Sequence, residues 1–583
     1  MDLQLSWAAE YAAFACMLGI SILIGLYYGF VERKQSTVND YLLGGKHMSV
    51  FPITMSLIAS HISGITLLGV PSEIYVYGTQ YLIVAIINIF IILIVIYVFL
   101  PVFYDLQLTS VYEYFELRFN RKIRGLASLM FTISLILYIP VVIYIPALAF
   151  NQVSKLNVHS ITPILCLICI FYTTVGGLKA VVWTDAVQSL FTTISIVAVI
   201  ILGIIQVGGV GNVIKANAEG NRLEWFNMDP DPLLRNSFWT VSIGTTFSWV
   251  HGLGMHPGAV QRFVALPTYN KARKALIYFI LGIGIVKILT GAIGMLVYTK
   301  FKDCDPVMAG YIENDKNLLP LFVTNVASNY PGLTGLFISG IVSTALSTMS
   351  AQLNTVSGTI YEDFIVKLLG VKVSDLMASI IMKATVVIVG IICVSLVLVV
   401  EKLGSILQIS VTLGGVTQGC LLAAFVLGMC FPCANSRGAL WGMIVSFAVM
   451  SWITLGAEMA IMNDKIKFVT KEVSVTGCPS NITLQNTTDF TGLYRLNHDV
   501  YVAPDVWKIF TLSYMHYSTV GTLIGISVGL IVSLIFPKEQ HIEPNLLTPF
   551  VRRIVYPNHK NQIMKPNGVI VEEYNLVPQN TQL

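Results

Sequence analysis

Long apolar runs recur along almost the whole 583-residue chain, and they constrain its fold more than any other feature. A helix of about 20 apolar residues crosses the hydrocarbon core of a bilayer. About thirteen such runs can be counted, from residues 8–30 to residues 507–536. Only 11% of the residues are charged, whereas a soluble domain has about 25%. These observations predict an all-α polytopic membrane protein with about 13 transmembrane helices.

The distribution of basic residues predicts how the chain crosses the membrane. Lysine and arginine gather in the loops at residues 33–46, 118–124 and 262–274 and in the C-terminal tail, which the positive-inside rule places in the cytoplasm. With thirteen spans the N-terminus is then extracellular, as is the loop at residues 463–505. That loop holds two glycosylation sequons, at Asn481 and Asn486. We therefore expect a multi-pass protein of the plasma membrane with a cytoplasmic C-terminus.

The predicted outer loops contain two cysteines, and the predicted cytoplasmic tail ends in a short binding motif. Cys304 and Cys478 fall in hydrophilic loops on the outer face, where a disulfide forms readily, although two free thiols remain the alternative. The chain ends in Thr581-Gln582-Leu583. This pattern resembles a PDZ ligand, in which a peptide terminus adds a strand to the domain. No sequence feature indicates nucleic-acid binding.

Two spans contain several glycines and prolines, which predicts broken helices. The second span includes Pro52, Gly64 and Pro71, and the seventh ends in the stretch 251–258, which has three glycines and a proline. Freed backbone carbonyls are tolerated at membrane depth only around a cavity or an ion, although ordinary kinks are an alternative. The two broken spans begin two sets of five spans. Five is odd, so the sets run in opposite directions, as in inverted-repeat transporters.

This layout predicts five parts of the chain. They are a first helix with a cytoplasmic loop (1–48), a first five-helix repeat (49–210), a second five-helix repeat (237–430), two last helices with the glycosylated loop (431–537) and a cytoplasmic tail (538–583).

One span, at residues 338–359, is apolar enough for a membrane but rich in hydroxyl groups. Thr344, Ser347 and Thr348 have the spacing i, i+3, i+4, which places them on one face of a helix. Hydroxyl and carbonyl oxygens are ligands for a small hard cation. The alternative is that these hydroxyls donate to carbonyls of their own helix or join neighbouring helices.

Several motifs resemble the sodium/solute symporter family over roughly residues 1–540. They are Gly176-Gly177 followed by Asp185 and Gln188, the stretches 56–63, 69–78 and 143–148, Asn151-Gln152-Val153, Gln261-Arg262-Phe263, Asn354, and Glu362-Asp363. The stretch 69–78 is most similar to the subgroup that carries iodide, monocarboxylates and vitamins. The resemblance implies a leucine-transporter-like fold with a 5+5 inverted repeat and two broken helices.

The resemblance also implies a sodium site. Its ligands would be backbone carbonyls of Ala59 and Ile62, together with Thr344, Ser347 and Thr348. Asp185 matches a family aspartate linked to ion coupling, whereas a charge at a helix end is the alternative. Sodium is the expected coupling ion, and no other metal or organic cofactor is expected.

For the substrate, the resemblance implies a central cavity lined by His61, Thr66, Val70, Val84, Asn88, Tyr144 and Trp249. Thr66, Val84 and Asn88 differ from the residues of iodide transporters at these positions. The resemblance therefore favours a small organic anion, either a monocarboxylate or a vitamin-like carboxylate. Iodide or a neutral solute such as a sugar or inositol remains the alternative.

We therefore predict a sodium-coupled symporter that works by alternating access. No HExxH or Walker A motif is present, so an enzyme or an ATP-driven pump is not expected. A non-transporting sensor or a channel on the same scaffold is the alternative from a different class.

Overall fold

The structure is a computed structural model that describes residues 7–31, 48–108, 110–154, 157–327, 330–371, 373–400, 406–479, 493–537, 542–557, 562–564 and 570–572. The sequons at Asn481 and Asn486 and the terminal Thr581-Gln582-Leu583 lie outside these residues.

Helices dominate the described chain, and we number them in chain order. The first half contains α1 (Trp7–Leu26), α2 (Val50–His61), α3 (Ile65–Tyr77), α4 (Thr79–Leu106), α5 (Glu113–Arg118), α6 (Arg121–Ser154), α7 (Val158–Gln206) and α8 (Val210–Glu219). The second half contains α9 (Phe238–Gly254), α10 (Pro257–Val264), α11 (Tyr269–Phe301), α12 (Leu318–Ala327), α13 (Leu333–Leu368), α14 (Asp375–Val400), α15 (Ile406–Cys430), α16 (Ser436–Met462), α17 (Tyr514–Ile535) and α18 (Pro549–Val555).

Eight of the described helices are long and apolar enough to cross a membrane, and there are nine if α2 and α3 form one span. Two shorter apolar helices, Tyr11–Leu26 and Gly414–Cys430, fall below that length. The structure thus supports a polytopic helical membrane protein at this coarser count. The 49-residue α7 contains two of the apolar runs, and they meet at Gly177, where φ is 55° and ψ is −156°. Glycine adopts this backbone readily because it lacks a Cβ.

The second apolar run is interrupted where the glycine and proline pattern predicted. Helix α2 ends at His61, α3 begins at Ile65, and the two axes are bent by 54°. The other predicted interruption lies between the end of α9 at Gly254 and the start of α10 at Pro257. There the Nδ1 atom of His256 accepts a hydrogen bond of 3.1 Å from the Gly258 amide and caps α10.

Helix α13 lies at the centre of the fold, and 94% of its apolar span is buried. It packs against α1, α2, α6, α7 and α14. By contrast, the spans of α14 and α16 are each only 33% buried. Their apolar outer faces suit contact with lipid, whereas the hydroxyl groups of α13 are enclosed by protein.

Small strands and a disulfide cross-link the loops at one end of the bundle. The antiparallel order is β1–β3–β2, formed by Ile466–Phe468, Val500–Val502 and Tyr494–Arg495, with Lys467 opposite Tyr501. A disulfide joins Cys304 to Cys478. The Lys471 amide also donates to the Val76 carbonyl, so this loop is attached to the end of α3. Gln562–Met564 (β4) and Ile570–Glu572 (β5) pair near the C-terminus.

Candidate ion and substrate site

The hydroxyl face of α13 meets the broken end of α2. The Thr348 hydroxyl lies 3.2 Å from the Ser60 carbonyl oxygen and 2.9 Å from that of Thr344, one turn earlier. The Thr344 hydroxyl donates to the Ile341 carbonyl over 2.7 Å. Both threonines thus bond to their own helix, as the alternative interpretation of this face predicted, and Thr348 also joins α13 to α2.

Ser347 differs from its two neighbours on that face. Its side chain is fully buried, and its hydroxyl is directed toward Asp185 but makes no hydrogen bond of good geometry. A buried polar atom without a partner is costly. The Ser347 oxygen is therefore available as a ligand atom.

Asp185, on α7, lies fully buried between α2, α10 and α13. Its Oδ2 atom accepts hydrogen bonds from the Ser56 hydroxyl at 2.7 Å and the Ser60 hydroxyl at 3.4 Å. The Arg262 guanidinium on α10 approaches the same oxygen at 3.3 Å. The other carboxylate oxygen, Oδ1, is buried without a partner. A carboxylate with an unused oxygen next to a serine with an unused oxygen suits a cation.

The end of α2 adds backbone oxygens to this region. Because α2 stops at His61, the last carbonyls of that helix have no partner within it. A cavity of about 30 Å³ is lined by Ala59, Ile62 and Thr344, which is room for a water molecule. Gln188 and Ser343 line the same cavity, and each has a buried side-chain oxygen without a partner. Asp185, Ser347 and Thr348 lie near the same end of α2 but do not line this cavity. The region as a whole offers neutral oxygens and one carboxylate, which are the donor types that suit a hard monovalent cation such as sodium.

The structure brings some of the predicted substrate residues together. The rings of His61 and Trp249 stack with centroids 5.8 Å apart, and the His61 Nδ1 atom lies 2.8 Å from the Leu57 carbonyl oxygen. Val70 and Val84 belong to one apolar cluster, whereas Tyr144 packs in the larger one. Each local environment contains a mixture of rings and aliphatic groups.

Asn88 stands out among these residues. It is completely buried on α4, and neither its amide nitrogen nor its amide oxygen has a hydrogen-bond partner. Thr66, at 6% exposed, lies in the first turn of α3. Asn88 thus offers unused donors and an unused acceptor in the protein interior.

Three residues of the ion region were not assigned to it from the sequence. Arg262 appeared only as part of a motif, and its contact with Asp185 joins positions 77 residues apart. Gln188 likewise appeared only in a motif, and Ser343 appeared in none. Ser343 lies next to Thr344 inside the hydroxyl-rich span. The high hydroxyl content of that span was the sequence signal that could have identified it.

The profile of the Sodium:solute symporter family matches residues 41–446. The sodium-coupled monocarboxylate transporter 2 of Homo sapiens is 37% identical over 543 residues, which cover 93% of this chain and 86% of that protein. A putative sodium-dependent multivitamin transporter of Drosophila melanogaster is 32% identical, with 91% and 87% covered.

Among solved structures, a Na⁺-coupled sialic acid symporter in a substrate-bound, outward-open state has a TM-score of 0.72 to this chain. It is 23% identical and covers 91% of this chain and 99% of its own. This likeness establishes the fold. The family profile and the relatives at 37% and 32% identity show that the chain belongs to the sodium:solute symporter family, whose members are sodium-coupled transporters of small solutes and not enzymes.

Proposed function

We propose that this protein imports a small organic anion, a monocarboxylate or a vitamin-like carboxylate, together with sodium. The observation that carries the proposal is that the buried Oγ atom of Ser347 and Oδ1 atom of Asp185, beside the broken end of α2, make no hydrogen bond of good geometry. The names of the relatives in the monocarboxylate and multivitamin groups support the class of substrate.

Sodium would be held by the carbonyls of Ala59 and Ile62 and by Thr344, Ser347 and Thr348, with Asp185 coupling the ion to movement. The unused carboxylate oxygen and the contacts of Asp185 with α2 and α10 support this role. A cation there would strengthen the junction between α13 and the two broken helices. That junction would favour one arrangement of these elements over the other, which is the requirement for coupled transport.

The substrate would bind beside the break, among His61, Thr66, Val70, Val84, Asn88, Tyr144 and Trp249. The unused amide of Asn88 and the His61–Trp249 stack support this location. The sodium gradient supplies the energy, and the membrane potential adds about 2.3 kcal/mol per charge per 100 mV.

The finer architecture is part of the proposal. Thirteen spans result if α2 with α3 counts as one span and α7 as two, joined to α1, α4, α6, α9, α11 and α13–α17. The interruptions after α2 and after α9 support two inverted repeats, residues 49–210 and 237–430.

The proposal also includes the orientation in the plasma membrane. The N-terminus would be extracellular and the tail at 538–583 would be cytoplasmic. The Cys304–Cys478 disulfide supports an outer location for residues 463–505, where Asn481 and Asn486 would carry glycans. The C-terminal Thr581-Gln582-Leu583 would bind a PDZ domain.

Uptake of labelled compounds tests the proposal. Cells that express the protein are given lactate, nicotinate, biotin, pantothenate, iodide or glucose, in sodium or in choline medium. We expect uptake of at least one carboxylate that exceeds that of untransfected cells only in sodium. Equal uptake in choline would show an uncoupled channel, and sodium-dependent uptake of iodide or glucose alone would show a different substrate class. Binding without uptake would indicate a sensor.

A further inference from the structure

Lys287 is a charged residue in the interior of the membrane bundle. It lies close to the midpoint of the 33-residue helix α11, and only 4% of its side chain is exposed. Ionisable residues at that depth are costly, face the interior and mark substrate or ion pathways. Neither the family motifs nor the ion region described above includes Lys287.

No acidic side chain in the described ranges forms an ion pair with this lysine. Within the described part of the chain, no aspartate or glutamate oxygen lies within 4 Å of its ammonium group. Its hydrogen-bond contact is a long one of 3.4 Å with the hydroxyl of Tyr81, and the ammonium lies 5.4 Å from the centre of that ring. By comparison, the buried Arg235 makes bonds of 2.9 Å to both carboxylate oxygens of Glu73. Lys287 therefore lacks, among the residues that the structure describes, the carboxylate partner that Arg235 has.

A second unused group lies near the same place. Tyr514, in the first turn of α17, belongs to the apolar cluster that contains Tyr81, and only 2% of it is exposed. Its hydroxyl is buried without a hydrogen-bond partner. A buried tyrosine hydroxyl ordinarily finds a partner. Lys287 contacts Tyr81, and Tyr514 belongs to the same cluster as Tyr81, so an ammonium and a phenol with unused donors both lie near that ring.

The position along α11 places Lys287 at the break between α2 and α3. A Cβ added to Gly282 would lie 2.4 Å from the Cδ1 atom of Ile58 on α2. A Cβ added to Gly294 would lie 2.9 Å from the Pro71 carbonyl oxygen on α3. Lys287 lies between these two glycines, so it stands at the level where the broken helix changes direction.

The same cluster also reaches the predicted substrate residues. Val70 and Val84 are members of it, together with Tyr81. Tyr81 and Val84 are three residues apart at the start of α4, a spacing that places them on one side of the helix. The Tyr81 side chain that Lys287 contacts thus lies one turn of α4 from Val84, a residue of the proposed substrate site.

We propose that Lys287 binds the carboxylate of the transported anion, with the hydroxyls of Tyr81 and Tyr514 as further donors. This assignment rests on the proposed function. Ammonium and phenol groups donate hydrogen bonds to a carboxylate, and bonds to an ionised partner are the stronger ones. An anion also supplies the charge that the buried lysine lacks. The site would reject uncharged isosteres, because they would leave Lys287 buried and unpaired.

Transport kinetics of Lys287→Met test this assignment, and Lys300→Met on the same helix is the matched control. We expect the variant at position 287 to raise the KM for the carboxylate at least tenfold, while the sodium concentration for half-maximal uptake stays within twofold. Lys287→Arg should recover part of the affinity. Lys300→Met should leave both values unchanged. An unchanged carboxylate KM in Lys287→Met would overturn the proposal, as would an equal loss of sodium and carboxylate affinity.

Two further measurements test the proposal even if Lys287→Met does not reach the membrane. Tyr81→Phe retains the ring, and we expect a two- to fivefold higher KM. In the unaltered protein, nicotinamide should compete with labelled nicotinate, or lactamide with labelled lactate, at least tenfold more weakly than the acid does. Equal competition by the amide would overturn the role of Lys287. Absence of sodium-dependent carboxylate uptake in the unaltered protein would instead overturn the proposed function.

Discussion

Two buried aspartates of this protein have the same kinds of neighbours but use them differently. At the end of α13, the Oδ1 atom of Asp363 accepts from Arg124 Nε at 2.8 Å and Nη2 at 2.6 Å. Its Oδ2 atom accepts from the hydroxyls of Ser110 at 2.9 Å and Ser128 at 2.7 Å. Both carboxylate oxygens are therefore occupied.

Asp185 also has one arginine and two serines within hydrogen-bonding distance, yet all three contact a single oxygen, and the hydroxyl of a third serine, Ser347, is only directed toward it. Ser56, Ser60 and Arg262 share Oδ2, and Oδ1 has no partner. Because buried polar atoms are nearly always satisfied in stable proteins, the unsatisfied oxygen sets Asp185 apart from Asp363 and supports its proposed role in ion coupling. The kinds of neighbours alone would have assigned the two aspartates the same role.

The largest effect is expected for Asp363→Asn. The change leaves the buried Arg124 with the partly exposed Glu116 as its remaining ion-pair partner. Disrupting a buried ion pair in this way costs about 3 kcal/mol. We expect a lower melting temperature of the purified protein in detergent and an unchanged sodium concentration for half-maximal uptake. A weaker sodium response at full stability would show that Asp363 also binds the ion.

Asp185→Asn should weaken sodium binding directly. We expect the sodium concentration for half-maximal uptake to rise at least tenfold, which corresponds to about 1.4 kcal/mol. Sodium should raise the melting temperature of the unaltered protein, because a ligand that binds the folded state stabilises it. That rise should disappear in the variant, whereas Asp363→Asn should retain it. An unchanged sodium response would remove Asp185 from the ion site.

The smallest effect is expected for Ser347→Ala. Its hydroxyl makes no good hydrogen bond, so the stability without sodium should not change. The sodium concentration for half-maximal uptake should rise roughly three- to tenfold, or about 0.7 to 1.4 kcal/mol.

Ser339→Ala is the matched control for Ser347→Ala. Ser339 is equally buried on α13, but its hydroxyl donates to the Gly335 carbonyl at 2.6 Å. The control should leave sodium activation unchanged. A lower melting temperature of Ser347→Ala without sodium, together with normal sodium activation, would give Ser347 a structural role instead.

The sequence was sufficient for the features that depend on local patterns. Apolar runs predicted the helices, and Gly64 with Pro71 predicted the break between α2 and α3. The hydroxyl face of α13 followed from the spacing of Thr344, Ser347 and Thr348. For Thr344 and Thr348, the structure shows the bonds to their own helix that the competing interpretation predicted.

Other features depend on contacts between distant parts of the chain, and local patterns do not contain them. The Asp185–Arg262 contact joins α7 to α10. The positions of Ser56, Ser60 and Arg262 around Asp185 decide which carboxylate oxygen is bonded, and these positions are set by the packing of the helices. Lys287 was visible as a lone charge in an apolar run. Its position beside Tyr81, with no acidic partner among the described residues, depends on how α4 and α11 pack together.

The Cys304–Cys478 disulfide has a consequence for how the protein is made. Its two cysteines are 174 residues apart, and a ribosome adds about 5 to 20 residues per second. Cys304 therefore waits roughly 10 to 35 s for its partner to be synthesised. During this interval four long helices, α13 to α16, must be produced and inserted. The disulfide can therefore form only after these four helices have been synthesised. A pulse-chase experiment on non-reducing gels would time its formation.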